Sequence, residues 1–446
     1  MRARSKNYRW VVFFVLAAGY FMVYFHRLCP AVVALDLMRD FHADGALIGL
    51  LASAYFYPYA LMQLPSGLLS DSWGPRRTVT VFFLLAGVAS MVMGEVHSVG
   101  AAIAARVAVG VGVAMFFVPA MKMLTMWFSV TEFTPMAGLL MAMGGLGALG
   151  AAAPLAFVSE IIGWRGSFEA VGVLTLVVAG AVWLFVRDDP REVGLPPANP
   201  LAPDGDAAKA ALKGAGAARI PLWRGVGLVL KNPRFWPLAF WFFCTNGVFF
   251  TFGGLWGGPY LMHAHGLSKA QAGNVLSMLA VALIFGSPLV SRISNSWLKS
   301  RKRTMIATSI LFACLNGALA LWPGRFSLPM LYVWSVLFGF ASGAAVVVGF
   351  TALKELFPLE LSGTALGAGN FFPFAGAAFL QPVTGIILER WPHGEAGYPV
   401  EAYGAAFLAY FAASVLAVLC AFGVKETFGA QEKGAAGTVS GPPRGA

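Results

Sequence analysis

Long apolar blocks separated by short polar stretches run from one end of this chain to the other. Crossing the hydrocarbon of a bilayer takes about 20 consecutive, mostly apolar residues in a helix. Blocks of that kind cover residues 10–35, 46–69, 78–95, 99–120, 134–157 and 167–186, and after a polar gap 236–262, 271–293, 304–322, 328–352, 363–388 and 402–423. The pattern predicts an all-α membrane protein with twelve transmembrane helices in two pseudo-symmetric six-helix bundles. Arg2, Arg4, Lys6 and Arg9 before the first block imitate a secretory leader, but with so many spans to follow an uncleaved first helix is the simpler reading.

The polar gap carries Pro190, Pro196, Pro197, Pro200 and Pro203 and then an Ala, Gly and Lys stretch, which is linker chemistry. We therefore expect a first bundle over 1–187, a cytoplasmic linker over 188–232, a second bundle over 233–425 and a disordered cytoplasmic tail over 426–446. Residues 220–230 have basic ends around an apolar run, which suits either an amphipathic helix along the membrane surface or plain linker.

Composition sharpens this picture. Hydrophobic residues make up 58% and charged residues 11%, with a mean hydropathy of +0.73, whereas soluble domains carry about 25% charged residues. So little charge cannot cover a water-soluble surface. A net charge of +11 would suggest a nucleic-acid partner in a soluble protein. Here the basic residues fall between the apolar blocks, and no nucleic acid is implied. With the N-terminus inside, 24 Lys and Arg lie in inner segments and five, Arg39, Arg165, Lys269, Arg325 and Arg390, in outer ones. The positive-inside rule then places both termini in the cytoplasm of a multi-pass inner-membrane protein. Cys29, Cys244, Cys314 and Cys420 sit in separate apolar blocks without CxxC spacing and read as free thiols.

An internal repeat supports the division into halves. Ser70-Asp71-Ser72-Trp73 followed by Arg76-Arg77 comes after the second block; Ser294-Asn295-Ser296-Trp297 followed by Arg301-Lys302-Arg303 comes after the eighth, 224 residues on. Duplicated six-helix halves are the architecture of a rocking-bundle carrier.

The whole segment Gly67-Leu68-Leu69-Ser70-Asp71-Ser72-Trp73-Gly74-Pro75-Arg76-Arg77 resembles the signature loop of the major facilitator superfamily, departing from it at Ser72, usually a base, and at Pro75. The resemblance implies a latch in which the Asp71 carboxylate, held against helix termini and arginines, favours an outward-facing state. Gly67 and Gly74 would then allow close helix approach, and Arg76 and Arg77 would pair or anchor to anionic lipid. Taken alone, the same segment is an ordinary positive-inside loop. Arg106-x-x-x-Gly110-x-Gly112-x-Ala114 resembles a second family motif, whose Arg faces the central cavity. The fifth block has Gly144, Gly145, Gly147 and Gly150 but no Gly-Pro pair before Pro154, so the drug-antiporter signature is absent.

Arg27 and Arg106 are the two cations left inside predicted spans. A charge at mid-bilayer costs about 2.5–3.5 kcal/mol on insertion scales, so it faces a cavity or a partner. Tyr20, Tyr24 and Arg27 share one helical face by i, i+4, i+7 spacing. A guanidinium walled by aromatics suits a planar anion, because its fork donates two parallel hydrogen bonds. Gly19 to Arg27 is similar to the first helix of the organophosphate antiporter branch, in which an Arg at this place binds phosphate. That branch has a second Arg in helix 7, where this chain has Thr251. One guanidinium fits a single carboxylate better, as in the organic-anion symporters, which the Trp127-Phe128 and Trp164-Arg165 segments also resemble. The alternative is structural: Arg27 snorkels or binds a carbonyl, and Arg106 braces helices 1 and 4.

No Asp or Glu lies deep in a span, which leaves His26 as the candidate for proton coupling, or else a packing histidine. Asn246 and Thr251 in the seventh block, Asn274 in the eighth and Gln381 in the eleventh are polar groups that could complete a site between the halves, or serve as interhelical hydrogen bonds. The expectation is a monomeric carrier for a small organic anion working by alternating access, with H+ or Na+ as coupling ion and the bilayer as surroundings. Carriers of short peptides or amino acids, an organophosphate exchanger and a channel are the alternatives. No Walker loop is present, no metal site is expected at His263-x-His265, and no cofactor or catalytic residue is implied.

Overall fold

The computed structural model describes residues 2–196, 222–392 and 397–428. Most of the expected linker and the expected disordered tail beyond Phe428 lie outside the described residues, as does His393. Among the described residues, eleven helices are long and apolar enough to cross a membrane, and one bent pair, taken as one span, makes a twelfth. The spans are α1 (8–41), α2 (45–72), α3 (Pro75–Glu95), α4 (Val99–Trp127), α5 (130–162), α6 (164–185), α7 (Phe235–His265), α8 (Lys269–Trp297), α9 (Arg301–Leu321), α10 (Leu328–Leu356), α11 (359–388) and α12 (Val400–Gly423). The start of α1 and the end of α12 share what we call the terminal face; the other is the far face. A short helix, Leu222–Lys231, precedes α7 and packs on α11, with Trp223 and Arg224 exposed and Val229 buried.

Local chemistry sets the ends and the breaks. Asp44 caps α2 by accepting from the Leu47 N–H at 2.7 Å, and Ser129 with Glu132 and Ser268 with Gln271 form reciprocal caps on α5 and α8. Pro30 removes a helical N–H, and α1 is interrupted at Cys29. Gly163, at φ 74°, separates α5 from α6. In the second half, α7, α8 and α10 each contain a π-helical turn, at Phe252–Trp256, Ile293–Trp297 and Ala345–Gly349.

The halves meet along α2 with α11 and α5 with α8. On the far side this seam is closed by backbone-to-backbone packing. A Cβ added at Gly49 would lie 2.6 Å from the Gln381 carbonyl oxygen; Gly45 and Gly385 abut, as do Gly258 and Ala31. The Gly45 N–H donates to Glu389 at 2.6 Å and to the Tyr398 hydroxyl at 2.9 Å, and Lys269 pairs with Asp36 across the seam. The terminal side is held by less, as described below.

The two related loops on the terminal face differ in detail. After α2, the exposed Asp71 pairs with the half-buried Lys122 at 2.7 Å, and the Arg76 N–H donates to Asp188 at 2.6 Å. Arg76 donates to the Trp183 carbonyl and stacks over that ring at 4.3 Å. Asp71 thus meets a lysine of α4 within its own half, where arginines were expected. Gly74 has φ 91°, and a Cβ there would lie 2.5 Å from Asp188, so its role is backbone conformation and room for a carboxylate. At Gly67 an added Cβ would meet Val118 only at 4.0 Å, so the expected close approach is not made. Arg77 is exposed. After α8, Arg301 pairs with Glu355 at 3.1 Å and donates to Ser294 at 3.0 Å, and its N–H donates to Glu426 at 2.9 Å.

Candidate functional site

Arg27 sits two residues before the break in α1, near the middle of the bundle, and is only 3% exposed. Its guanidinium carbon lies over the rings of Tyr24 at 4.4 Å, Tyr59 and Phe374 at 4.8 Å, and Phe250 at 5.3 Å. These rings come from α1, α2, α11 and α7, so both halves contribute. Tyr55 precedes Tyr59 by one turn, and its hydroxyl donates to the Val23 carbonyl of α1 at 3.4 Å. Among the described residues no carboxylate pairs with Arg27, and its Nε has no acceptor. Ring faces return about 0.5–2 kcal/mol each to a cation, while taking an ion out of water costs several kcal/mol. The cage therefore holds a positive charge that an anion would neutralise.

Tyr20, expected beside Arg27, stands one layer back. Its ring is 5.4 Å from that of Tyr24, and its hydroxyl donates to the Met141 sulfur of α5 at 3.5 Å. Gly144 of α5 makes room for both rings, since a Cβ there would lie 2.7 Å from Tyr20 and 2.8 Å from Tyr24.

Arg106 meets a different demand. Pro30 has no N–H, so the His26 carbonyl, four residues earlier, loses its helical donor. Arg106 Nη1 donates to that carbonyl at 3.2 Å, and the Cys29 thiol donates to it at 3.5 Å. The arginine braces α4 against the break in α1, and its ring neighbour is Tyr55 at 5.1 Å. Its Nε and Nη2 have no acceptor among the described residues.

The His26 side chain turns to α6. Its Nε2 is 2.8 Å from the Thr175 hydroxyl, which itself donates to the Val171 carbonyl at 2.7 Å. Nδ1 has no partner among the described residues.

The second half supplies neutral groups. Gln381 is fully buried, donates to the Phe250 carbonyl at 3.2 Å and leaves its Oε1 unpartnered. Thr251, the next residue after Phe250, is buried with its hydroxyl unpartnered. Asn246 is 7% exposed and makes only 3.5 Å contacts within its own helix. Asn274, by contrast, is on the exposed face of α8, while its neighbour Gly273 faces α5; it is not brought to the cage. A residue near a span end carries no periodicity signal strong enough to fix its face. The cage residues Tyr55, Tyr59, Phe250 and Phe374 were not singled out from the sequence. Tyr55 and Tyr59 do repeat the i, i+4 spacing of Tyr20 and Tyr24, which was a usable signal.

The sequence profile of the Major Facilitator Superfamily matches residues 10–257 and 252–442. The chain belongs to this family. It is a multi-pass membrane transporter, and the family's twelve-helix fold is the one described above. A protein of Cupriavidus necator described as a probable sulfoacetate transporter is 27% identical over 412 residues, which cover 87% of this chain and 89% of that protein. A probable hexose phosphate transport protein of Chlamydia trachomatis is 23% identical over 409 residues, covering 88% and 87%. Among solved structures, an inward-facing, unoccupied bacterial homolog of the human lysosomal transporter Spinster aligns with a TM-score of 0.73 at 20% identity, over 94% of this chain and 96% of that one. These relatives place the chain beside the organic-anion and organophosphate branches of the superfamily.

Proposed function

We propose that this facilitator carries a small organic anion across the inner membrane by alternating access, with Arg27 taking the anionic group. The observation that carries this reading is a buried guanidinium ringed by aromatic faces from both halves and lacking a carboxylate partner among the described residues. Tyr24, Tyr55 and Tyr59 shape the pocket with Tyr20 behind them, and Thr251, Gln381 and Asn246 receive the uncharged part of the substrate. Arg106 supports the pocket from α4. The halves form two units, 1–187 and 233–425, that rock about the site, and the excess of inner over outer basic residues puts the terminal face in the cytoplasm.

A carboxylate or sulfonate is the anion we favour. The sulfoacetate relative supports this, and so does the cage's single cation: Thr251 stands where the organophosphate branch has its second arginine. A zwitterion such as an amino acid would need an acid for its amine, and the cage offers none among the described residues. An organophosphate exchanger is the second reading, supported by the hexose phosphate relative. Coupling to H+ would run through His26, the histidine next to Arg27 in the chain. Uptake measured across imposed pH and Na+ gradients tests this, and uptake indifferent to both would leave exchange.

The test of the main reading is a thermal-shift screen of the purified protein against carboxylates, sulfonates and phosphates, since a ligand that binds the folded form raises its apparent stability. Stabilisation by a carboxylate or sulfonate should vanish in Arg27→Lys, which keeps the charge and loses the planar fork. Wild-type transport by Arg27→Lys would sink the assignment.

A further inference from the structure

We infer that Gln63 and Asn370 form the latch that closes the Arg27 cage toward the terminal face, and that Tyr59 links this latch to the cage. The inference goes beyond the anion reading and uses it only in its last step.

The two sides of the cage are sealed unequally. On the far side there are glycine contacts between backbones, the Lys269–Asp36 ion pair, and hydrogen bonds from the first turn of α2 to Glu389 and Tyr398. On the terminal side of α2 and α11 there are two thin layers. The first is the ring contact of Tyr59 with Phe374, at 4.3 Å between centroids. The second lies one helical turn nearer the terminal face: Asn370 Nδ2 donates to Gln63 Oε1 at 2.8 Å across the seam. Gln63 follows Tyr59 by four residues and Asn370 precedes Phe374 by four, so the two layers stack about 6 Å apart on antiparallel helices.

Gln63 is held ready for this bond. Gln63 is 5% exposed, and its Nε2 donates back to the Tyr59 carbonyl at 3.1 Å, which aims Oε1 at α11. Tyr59 therefore touches the guanidinium, the ring of the opposite half and the latch glutamine. An anion drawn onto Arg27 competes with the Tyr59 ring for the same cation, so occupancy changes what holds the latch. A neutral amide pair is suited to repeated opening, since it separates without stranding a charge.

The test is access to the cage without any solute present. In a full-length background whose native cysteines are replaced, Thr251→Cys reports entry of a maleimide from the terminal face. Gln63→Ala and Asn370→Ala should each speed labelling by about fivefold, the equilibrium worth of one hydrogen bond, and the double variant should go no further. Gln63→Asn combined with Asn370→Gln keeps the span of the pair and should return labelling to the parent rate. Additive single effects, unchanged labelling in both singles, or no recovery in the swapped pair would each overturn the latch. Arg27→Ala run in parallel separates the two readings: if the anion reading is wrong and the latch right, labelling still responds to Gln63 and Asn370 while Arg27→Ala transports normally. Sulfoacetate as probe then tests the link. It should alter the labelling rate in the parent and have no effect in Tyr59→Leu, which lacks the ring, and an equal effect in both would remove Tyr59 from the chain.

Discussion

In the first half of this transporter the loop after α2 pairs an acid of the loop with a base of α4; in the second half the loop after α8 pairs a base of the loop with an acid of α10. The Asp71 and Lys122 side chains are 69% and 36% exposed, whereas those of Arg301 and Glu355 are 11% and 18% exposed and share further bonds with Ser294 and Thr427. Each loop also offers the first N–H of the next helix to a carboxylate that follows the last span of its half. For Asp188, burial dominates and pushes the carboxyl above its usual range, against the pull of the Arg76 N–H. For Glu426, burial would raise the carboxyl, but hydrogen bonds from Ser300 and the N–H groups of Phe428, Arg301 and Thr427 outweigh it and hold the group below that range. The same duplicated plan has become a loose, solvent-screened contact in one half and a clamp in the other. Inside the membrane the asymmetry reverses, with Arg27, Arg106 and His26 in the first half facing Thr251, Gln381 and Asn246 in the second. Charge that can respond to a substrate is gathered in the half whose terminal-face loop is least constrained.

That division of labour can be broken at three levels. Removing the cage charge with Arg27→Ala should cut transport by about a hundredfold or more, since two charge-assisted hydrogen bonds to the anion are lost. Thr251→Ala, on the neutral side, should leave most of the activity, and counterflow in reconstituted vesicles reads both. At the loops, Arg301→Ala strands a largely buried Glu355 and should cost about 3 kcal/mol, seen as a steep fall in melting temperature. Asp71→Ala, which breaks an exposed pair, should cost less than about 1 kcal/mol. Equal losses would mean that the exposure difference between the loops has no energetic content.

The smallest effect concerns pH. Glu426, with its folded value depressed, contributes stability that is present above the ordinary carboxylate range and lost as pH falls through the folded value. Asp188, with its folded value raised, has the opposite sign: its contribution is present below that range and lost as pH rises through the folded value. Glu426→Gln should therefore lower the melting temperature at neutral pH by a few degrees, and the deficit should shrink on acidification. Asp188→Asn should not lower it at neutral pH, because the amide oxygen still accepts from Arg76. Parallel melting curves near neutrality and in mild acid give both signs.

The fold was readable from the sequence because a spanning helix must be long and apolar, and few other structures need twenty such residues together. Ends were less readable. α1 continues past the predicted residue 35 to Phe41, since Asp36, Arg39 and Asp40 pair with one another and with Lys269 beyond the apolar core, and paired charges do not stop a helix. In the site, Arg27 stood out because a lone charge in an apolar block is costly, and Tyr24 followed from helical spacing. Phe250 and Phe374 did not stand out, because a phenylalanine facing lipid and one facing a guanidinium look alike in one dimension. Arg106 was legible as an anomaly and, in one of its two readings, as a brace between helices 1 and 4; the carbonyl it serves was not, because only the three-dimensional path of α1 brings it near.

That carbonyl ties two distant residues into a single heritable unit. Pro30 without Arg106 would leave the His26 carbonyl only the weak Cys29 thiol as donor, and Arg106 without Pro30 would share that oxygen with a restored helical N–H. Substitution of either should be tolerated only when the other changes too, so among descendants of this sequence the proline of the first helix and the arginine of the fourth should be kept together or lost together.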